Sequence, residues 1–280
     1  MRLKGIYAKK HTASKLGILC LLIFISVILH TIIAAGIVYL FFDNSEVDAL
    51  RVYQLFSLLG IFFTPILLYS YLCDFDLCLR FNFSRQTFLL AIAIMFLILP
   101  LSSFVYAWNM SFEEYFPDWA NNFEEQAKIM TERLLKMNSL TELGFNLLVL
   151  AIVPAIAEEV FFRGYLQQKC IKWLGRPHLS IIITAIIFSA IHLQFQGFLP
   201  RFMLGLVLGY FMYWSGSLWI PITGHFLNNA VLVIFSYPAF SRYMDVSEQD
   251  FPTWQEAFFS FMAVALLLFL FQKSREIKKG

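Results

Sequence analysis

Long apolar runs separated by short polar links make up most of this sequence. A helix crossing the hydrocarbon layer of a bilayer needs roughly 20 predominantly apolar residues. On that measure eight candidate spans can be placed, at about 16–42, 53–72, 87–108, 143–168, 178–194, 200–214, 218–237 and 254–272. The links around the sixth span are the tightest, Trp214-Ser215-Gly216-Ser217-Leu218-Trp219 being one of them. The first run follows a basic stretch in the order of a secretory signal, but it is much longer than the roughly 7–15 residues of a cleavable apolar core. It therefore predicts an uncleaved first span.

One stretch, about 109–142, is too polar to span and too long for a turn. Asn122-Phe123-Glu124-Glu125 fits an N-cap with an acid three residues on. Phe123, Ala127, Met130, Leu134 and Met137 then recur at helical spacing, opposite Glu124, Glu125, Lys128, Glu132 and Lys136. The pattern predicts an amphipathic helix on the outer interface between the third and fourth spans, serving as a packed lid or a substrate gate. No repeat, low-complexity tract or Gly/Ser linker divides the chain. The expectation is one all-α transmembrane domain over 1–280, its motif-bearing core at about 143–237.

Composition agrees with the pattern: 59% of the 280 residues are apolar and 14% charged, with a mean hydropathy of +0.69. The formal net charge of +2 comes from nearly balanced totals and gives no basic field for nucleic acid. Its distribution is more informative. Basic residues gather at Arg2–Lys15, Arg80, Arg85, Lys169, Lys172, Arg176, Lys273, Arg275, Lys278 and Lys279, in alternate links. The other links hold Arg51, Lys128, Arg133, Lys136, Arg201 and Arg242 amid many acids. The positive-inside rule then predicts both termini on the cytoplasmic side of an integral membrane protein. Cys20, Cys73, Cys78 and Cys170 lack paired metal or redox spacing and read as small packing residues.

An ionisable side chain inside a span costs about 2.5–3.5 kcal/mol on insertion scales, so each needs a partner or a purpose. The candidates are Glu158, Glu159, Arg163, His192, His225 and His30, with the amides Asn228 and Asn229. Glu159 and Arg163 are one helical turn apart on one face and predict a structural ion pair, while Glu158 is turned roughly 100° away without a built-in counter-charge. Such a carboxylate is suited to take a proton from water. Counted from the cytoplasmic ends of their helices, His192 lies about 21 Å deep and Glu158 about 18 Å, so the two can meet at one level. His225 and Asn229 share a face and could aim two donors at a developing oxyanion, or equally fasten neighbouring helices. His30, His11 and His178 read as structural. Gly205 and Gly209 form a small-xxx-small packing pattern.

The ordered set Glu158-Glu159-x3-Arg163, Phe188-x3-His192 and His225-x3-Asn229, each on its own apolar helix, resembles the CPBP family of CAAX prenyl proteases and bacteriocin-processing or self-immunity (Abi) proteins. Gly205-x3-Gly209 and Ser217-Leu218-Trp219-Ile220-Pro221 also look like the family, and the resemblance covers about 150–235. It implies an intramembrane endopeptidase without a covalent intermediate. Glu158 and His192 would activate water, His225 and Asn229 would stabilise the oxyanion, and Glu159 and Arg163 would support them. The substrate would be a peptide or protein at the membrane, prenylated or not, and the compact form resembles prokaryotic members, hence a cytoplasmic membrane.

No cofactor is favoured. Zinc on Glu158, His192 and His225 is chemically possible, although no H-E-x-x-H helix is present and asparagine is a poor zinc ligand. No serine has the G-x-S-x-G setting of a nucleophile. The competing reading is a non-catalytic scaffold or bacteriocin self-immunity protein whose polar residues only fasten the bundle. A transporter is disfavoured, since no paired Gly/Pro-broken helices occupy corresponding halves.

Overall fold

The computed structural model describes residues 3–42, 46–241 and 251–276. Arg2, Arg242, Lys278 and Lys279 lie outside them. Among the described residues every regular element is helical. Five helices are long and apolar enough to cross a membrane: α1 Thr12–Phe41, α2 Val47–Cys73, α3 Arg85–Met110, α5 Leu140–Leu174 and α9 Trp254–Ser274. Between α3 and α5 lies α4, Asp118–Leu135. Three further helices follow α5: α6 Pro177–Ala190, α7 Phe198–Ser215 and α8 Trp219–Phe235.

Prolines shape the long helices. Pro65 and Pro154 each sit just beyond a π-helical stretch, Leu59–Phe63 in α2 and Leu147–Ile152 in α5. A proline interrupts the hydrogen-bond ladder and crowds the preceding turn, and the wider π turn accommodates both effects. Pro100 marks the break at Ile98 in α3. A third π-helical stretch, Val160–Leu166, carries Arg163.

α5 is the central helix, packed against α2, α6, α7 and α8, while α9 covers α3 and α7 and α1 lies against α2. Apolar contact between helices gains little in lipid, because hydrocarbon tails are as apolar as leucine; close packing and polar bonds hold the bundle instead. The outer surface is correspondingly greasy, with Leu21, Phe24, Ile32, Phe259, Met262 and Leu266 all exposed on α1 and α9.

At the centre α7 presents two backbone carbonyls where glycine lets α5 come close. Arg163 donates through Nη2 to the Gly205 carbonyl at 3.1 Å, and Gln167 donates through Nε2 to the Gly209 carbonyl at 3.0 Å. On the other side the same glycines abut α6. A Cβ on Gly205 would stand 3.0 Å from Ala185 Cβ, and one on Gly209 would stand 2.7 Å from Ile181 Cγ2. The small-xxx-small motif thus makes room for a helix and for two hydrogen bonds. Gly216, at φ +65°, ends α7 in the left-handed conformation. The next residues dock on segment 78–80: Ser217 Oγ donates to the Arg80 carbonyl at 2.7 Å, the Leu218 amide to the Cys78 carbonyl at 3.0 Å and the Trp219 indole to the Leu79 carbonyl at 3.2 Å. This anchorage fixes the start of α8, which carries His225.

Two expectations need correction. α4 begins at Asp118, after Pro117 in extended conformation, so Asn122 lies inside the helix and is not its cap. Its inward side also includes an acid, since Glu124 Oε2 accepts from the Gln196 amide at 3.2 Å, while Phe123 and Met130 are exposed. Arg51, buried in α2, donates to the Lys136 carbonyl at 2.6 Å and so holds the chain leaving α4. The second correction concerns α6, which stops at Ala190, short of the expected 194. Leu193 adopts φ +53° and the chain turns away, so His192 occupies a turn beyond the helix end.

His30 ties two helices together. Its Nδ1 donates to the Ser26 carbonyl at 2.8 Å and its Nε2 lies 3.3 Å from the Thr64 hydroxyl, tying α1 to α2. His178 Nδ1 is 3.0 Å from the Tyr210 hydroxyl.

Gly209→Ala should lower stability by about 1–3 kcal/mol through overpacking. Gly144→Ala, with nothing within 4 Å of its Cβ, should be neutral or stabilising by up to about 1 kcal/mol. Thermal unfolding of both variants in one detergent checks the contrast.

Candidate active site within the bundle

Arg163 and Glu159 are fully buried, and Arg163 Nη1 donates to Glu159 Oε1 at 2.6 Å. The guanidinium also lies 4.6 Å from the Phe188 ring centroid, a cation–π arrangement. The same Glu159 oxygen accepts from His225 Nδ1 at 2.9 Å. One carboxylate therefore joins α5 to α8, while the guanidinium joins it to α7. Because Nδ1 carries the proton toward a carboxylate, a neutral His225 ring has its lone pair on Nε2.

Nε2 of His225 faces Glu158, whose Oε2 lies 4.0 Å away. That oxygen is buried and has no hydrogen-bond partner among the described residues. The neighbouring acids thus have separate surroundings: Glu159 belongs to the buried ion pair, and Glu158 lines a cavity of about 310 Å³. Its wall also includes Phe188, His192, Arg201, His225, Asn228 and Asn229. Of the candidates reached from the sequence, all but His30 lie either on this wall or in the Glu159–Arg163 pair beside it.

His192 comes to the cavity from the turn after α6. Its Nδ1 donates to the Phe188 carbonyl at 2.8 Å, which leaves Nε2 as the basic nitrogen of the neutral ring. In accepting it, the Phe188 carbonyl, one of those left open at the helix end, is satisfied. Asn228 Nδ2 donates to Asn229 Oδ1 at 3.2 Å, orienting the Asn229 amide so that its own N–H groups are available as donors. The pairing gives Asn228 a use, although it is not on the helix face that His225 and Asn229 share.

Arg201 was not among the sequence candidates. It sits in the first turn of α7 and lines the cavity beside Glu158. In the sequence it read as a link charge, and its place at the edge of an apolar run was the available signal. The cavity wall offers a carboxylate and an imidazole as proton acceptors, an amide and a guanidinium as donors, and a second imidazole braced by a buried acid. These are the groups needed for attack of water on a carbonyl carbon.

Residues 141–231 match the family model described as Type II CAAX prenyl endopeptidase Rce1-like. The family resemblance read from the sequence is borne out over that segment, which contains Glu158, His192, Arg201, His225, Asn228 and Asn229 of the cavity wall. Over 90 residues the chain is 30% identical to the Uncharacterized protein YpbD of Bacillus subtilis (strain 168), a stretch covering 31% of this chain and 43% of that relative. The match spans less than half of the relative's length. No solved structure matches the chain.

Removing one partner from a buried ion pair strands the other charge. Glu159→Gln should therefore cost about 3–5 kcal/mol, and the double variant Glu159→Gln with Arg163→Met should recover part of that loss. Unfolding midpoints of the parent, Glu159→Gln, Arg163→Met and the double variant in detergent test the coupling, and additive losses would contradict it.

Proposed function

We propose that this chain, Rce1-like over 141–231, is an intramembrane endopeptidase that hydrolyses a peptide bond with water activated by Glu158 and His192. The single observation that carries the reading is Glu158 Oε2, which, unlike the equally unpartnered Glu159 Oε2, belongs to a side chain lining a cavity shared with His192, His225 and Asn229 inside an apolar bundle. A carboxylate oxygen held without a donor in such a place is costly unless it has work with water or substrate.

In the proposed reaction, water loses a proton to the Glu158–His192 pair as its oxygen attacks the carbonyl carbon. The negative charge arriving on the carbonyl oxygen meets the Asn229 amide, held by Asn228. When the proton taken from water passes from Glu158 to His225 Nε2, His225 becomes a donor to that oxygen, and Glu159 stabilises the imidazolium through Nδ1. Collapse of the tetrahedral species breaks the C–N bond, and the proton taken from water passes to the leaving amine. The products are a carboxylic acid and an amine, with no covalent enzyme intermediate.

Glu158, His192 and His225 are zinc-ligand types, but among the described residues no three His, Cys, Asp or Glu side chains are grouped closely enough to hold a metal ion; a zinc held there would acidify a coordinated water. The side-chain route is preferred because Arg201, a permanent cation, lines the same cavity and disfavours a second cation. In this reading all eight apolar helices or segments traverse the bilayer as one domain, with α4 on the outer interface. The Lys/Arg distribution supports a cytoplasmic position for both termini, and a prokaryotic cytoplasmic membrane is the proposed setting. The substrate is a peptide or protein segment at the membrane, prenylated or not.

Glu158→Gln and His192→Ala should each lower turnover by about 10²-fold or more, and Asn229→Ala by about 10²–10³-fold. Comparing membrane-peptide profiles at equal protein abundance measures the effect. Undiminished processing by the Glu158 and His192 variants would leave the polar cluster as a scaffold or immunity device. Purified active protein should contain less than stoichiometric zinc and resist chelators; stoichiometric zinc with chelator-reversible loss of activity would make Glu158, His192 and His225 a ligand set.

A further inference from the structure

Arg201 stands between two cavities. One is the cavity of Glu158, His192, His225 and Asn229; the other, of about 470 Å³, lies under α4 and is lined by Glu113, Glu124, Glu125 and Glu132 with Tyr106 and Lys128. Gln194 and Thr131 also border both, so the two spaces adjoin. The guanidinium rests directly on Gly197: a Cβ built there would fall 2.0 Å from Nη2 and 2.8 Å from Cζ. Gly197 has an ordinary φ of −90°, so the glycine supplies space and not backbone freedom. Its own contacts are modest. Nη1 reaches the Gln194 carbonyl at 3.4 Å, and no ion pair within 4.0 Å includes Arg201 among the described residues, although Glu124 and Glu158 act on it electrostatically from the two sides.

A guanidinium seated in a glycine cradle, with most of its donors uncommitted to a carboxylate, is built for planar two-point recognition of an anion. Arg201 is the cation common to the two cavities, Lys128 lining the outer one only, so a carboxylate held where they adjoin meets Arg201. We propose that Arg201 is a specificity-determining residue that holds a carboxylate of the peptide substrate close to the cleaved bond. The carboxylate comes from an Asp or Glu side chain or from the peptide's own C-terminus. This inference rests on the endopeptidase reading.

The test uses the full chain, purified in detergent, and a randomised library of synthetic peptides made in free-acid and C-terminally amidated forms, with cleavage sites read by mass spectrometry. Cleavages absent with Glu158→Gln are assigned to this protein. Among them, Asp or Glu near the cut should be enriched about tenfold or more over Asn or Gln if a side chain supplies the carboxylate. If the terminus supplies it, free-acid peptides should be preferred over amides by a similar factor. Arg201→Gln should abolish the preference and raise KM more than it lowers kcat, and Arg201→Lys should restore part of it. Gly197→Ala, which displaces an intact Arg201, should weaken the preference too, and it decides the matter if Arg201→Gln does not fold. Glu158-dependent cleavage without acid preference, or with the same preference in Arg201→Gln and Gly197→Ala, overturns the role of Arg201 alone. Absence of any Glu158-dependent cleavage overturns the endopeptidase reading and this inference with it.

Discussion

A fully buried guanidinium in an apolar bundle must be compensated from several directions at once, and Arg163 is the constraint to which the rest of the architecture answers. Glu159 neutralises it, the Gly205 carbonyl takes a second donor and Phe188 offers its ring face. Each partner comes from a different place, so satisfying one charge fixes α5 against α6 and α7. Through the Glu159 oxygen shared with His225 it fixes α8 as well. In lipid, where apolar contact between helices is nearly neutral, such polar bonds and close glycine contacts carry the specificity of packing.

Locking Glu159 behind the cavity has a direct chemical consequence for its neighbour. Successive residues of a helix point roughly 100° apart, so Glu158 is turned onto the cavity wall toward His225 Nε2. The pair of acids is thereby divided between holding the fold and facing the space where water and substrate would meet. His192 reaches that space by leaving its helix, with its ring anchored on Phe188, the residue that also covers Arg163. Site and scaffold therefore share atoms, and a substitution in one is felt in the other.

Much of this could be read from the chain. Helical spacing was enough to pair Glu159 with Arg163 and to separate Glu158 from both, because the pairing is local. Apolar run length located the five long helices for the same reason. Contacts between distant segments were less legible. The end of α6 depends on the left-handed Leu193, and no glycine or proline stands at that turn to announce it. Besides the local Ser26 carbonyl, His30 reaches Thr64, on another helix. The 193–197 turn is held by Asn109, which donates to the Phe195 and Gln196 carbonyls, and that long-range tie helps bring Arg201 beside the site. The Gly205 and Gly209 pattern was visible as packing, but the hydrogen bonds it admits from Arg163 and Gln167 required both helices in place.

The central claim is that Glu158 and His192 face one water inside the bundle. A high-resolution experimental structure in a lipid nanodisc tests it most directly. The result expected is an ordered water within hydrogen-bond reach of both Glu158 Oε2 and His192 Nε2; the two side chains turned to separate, dry surroundings would contradict it.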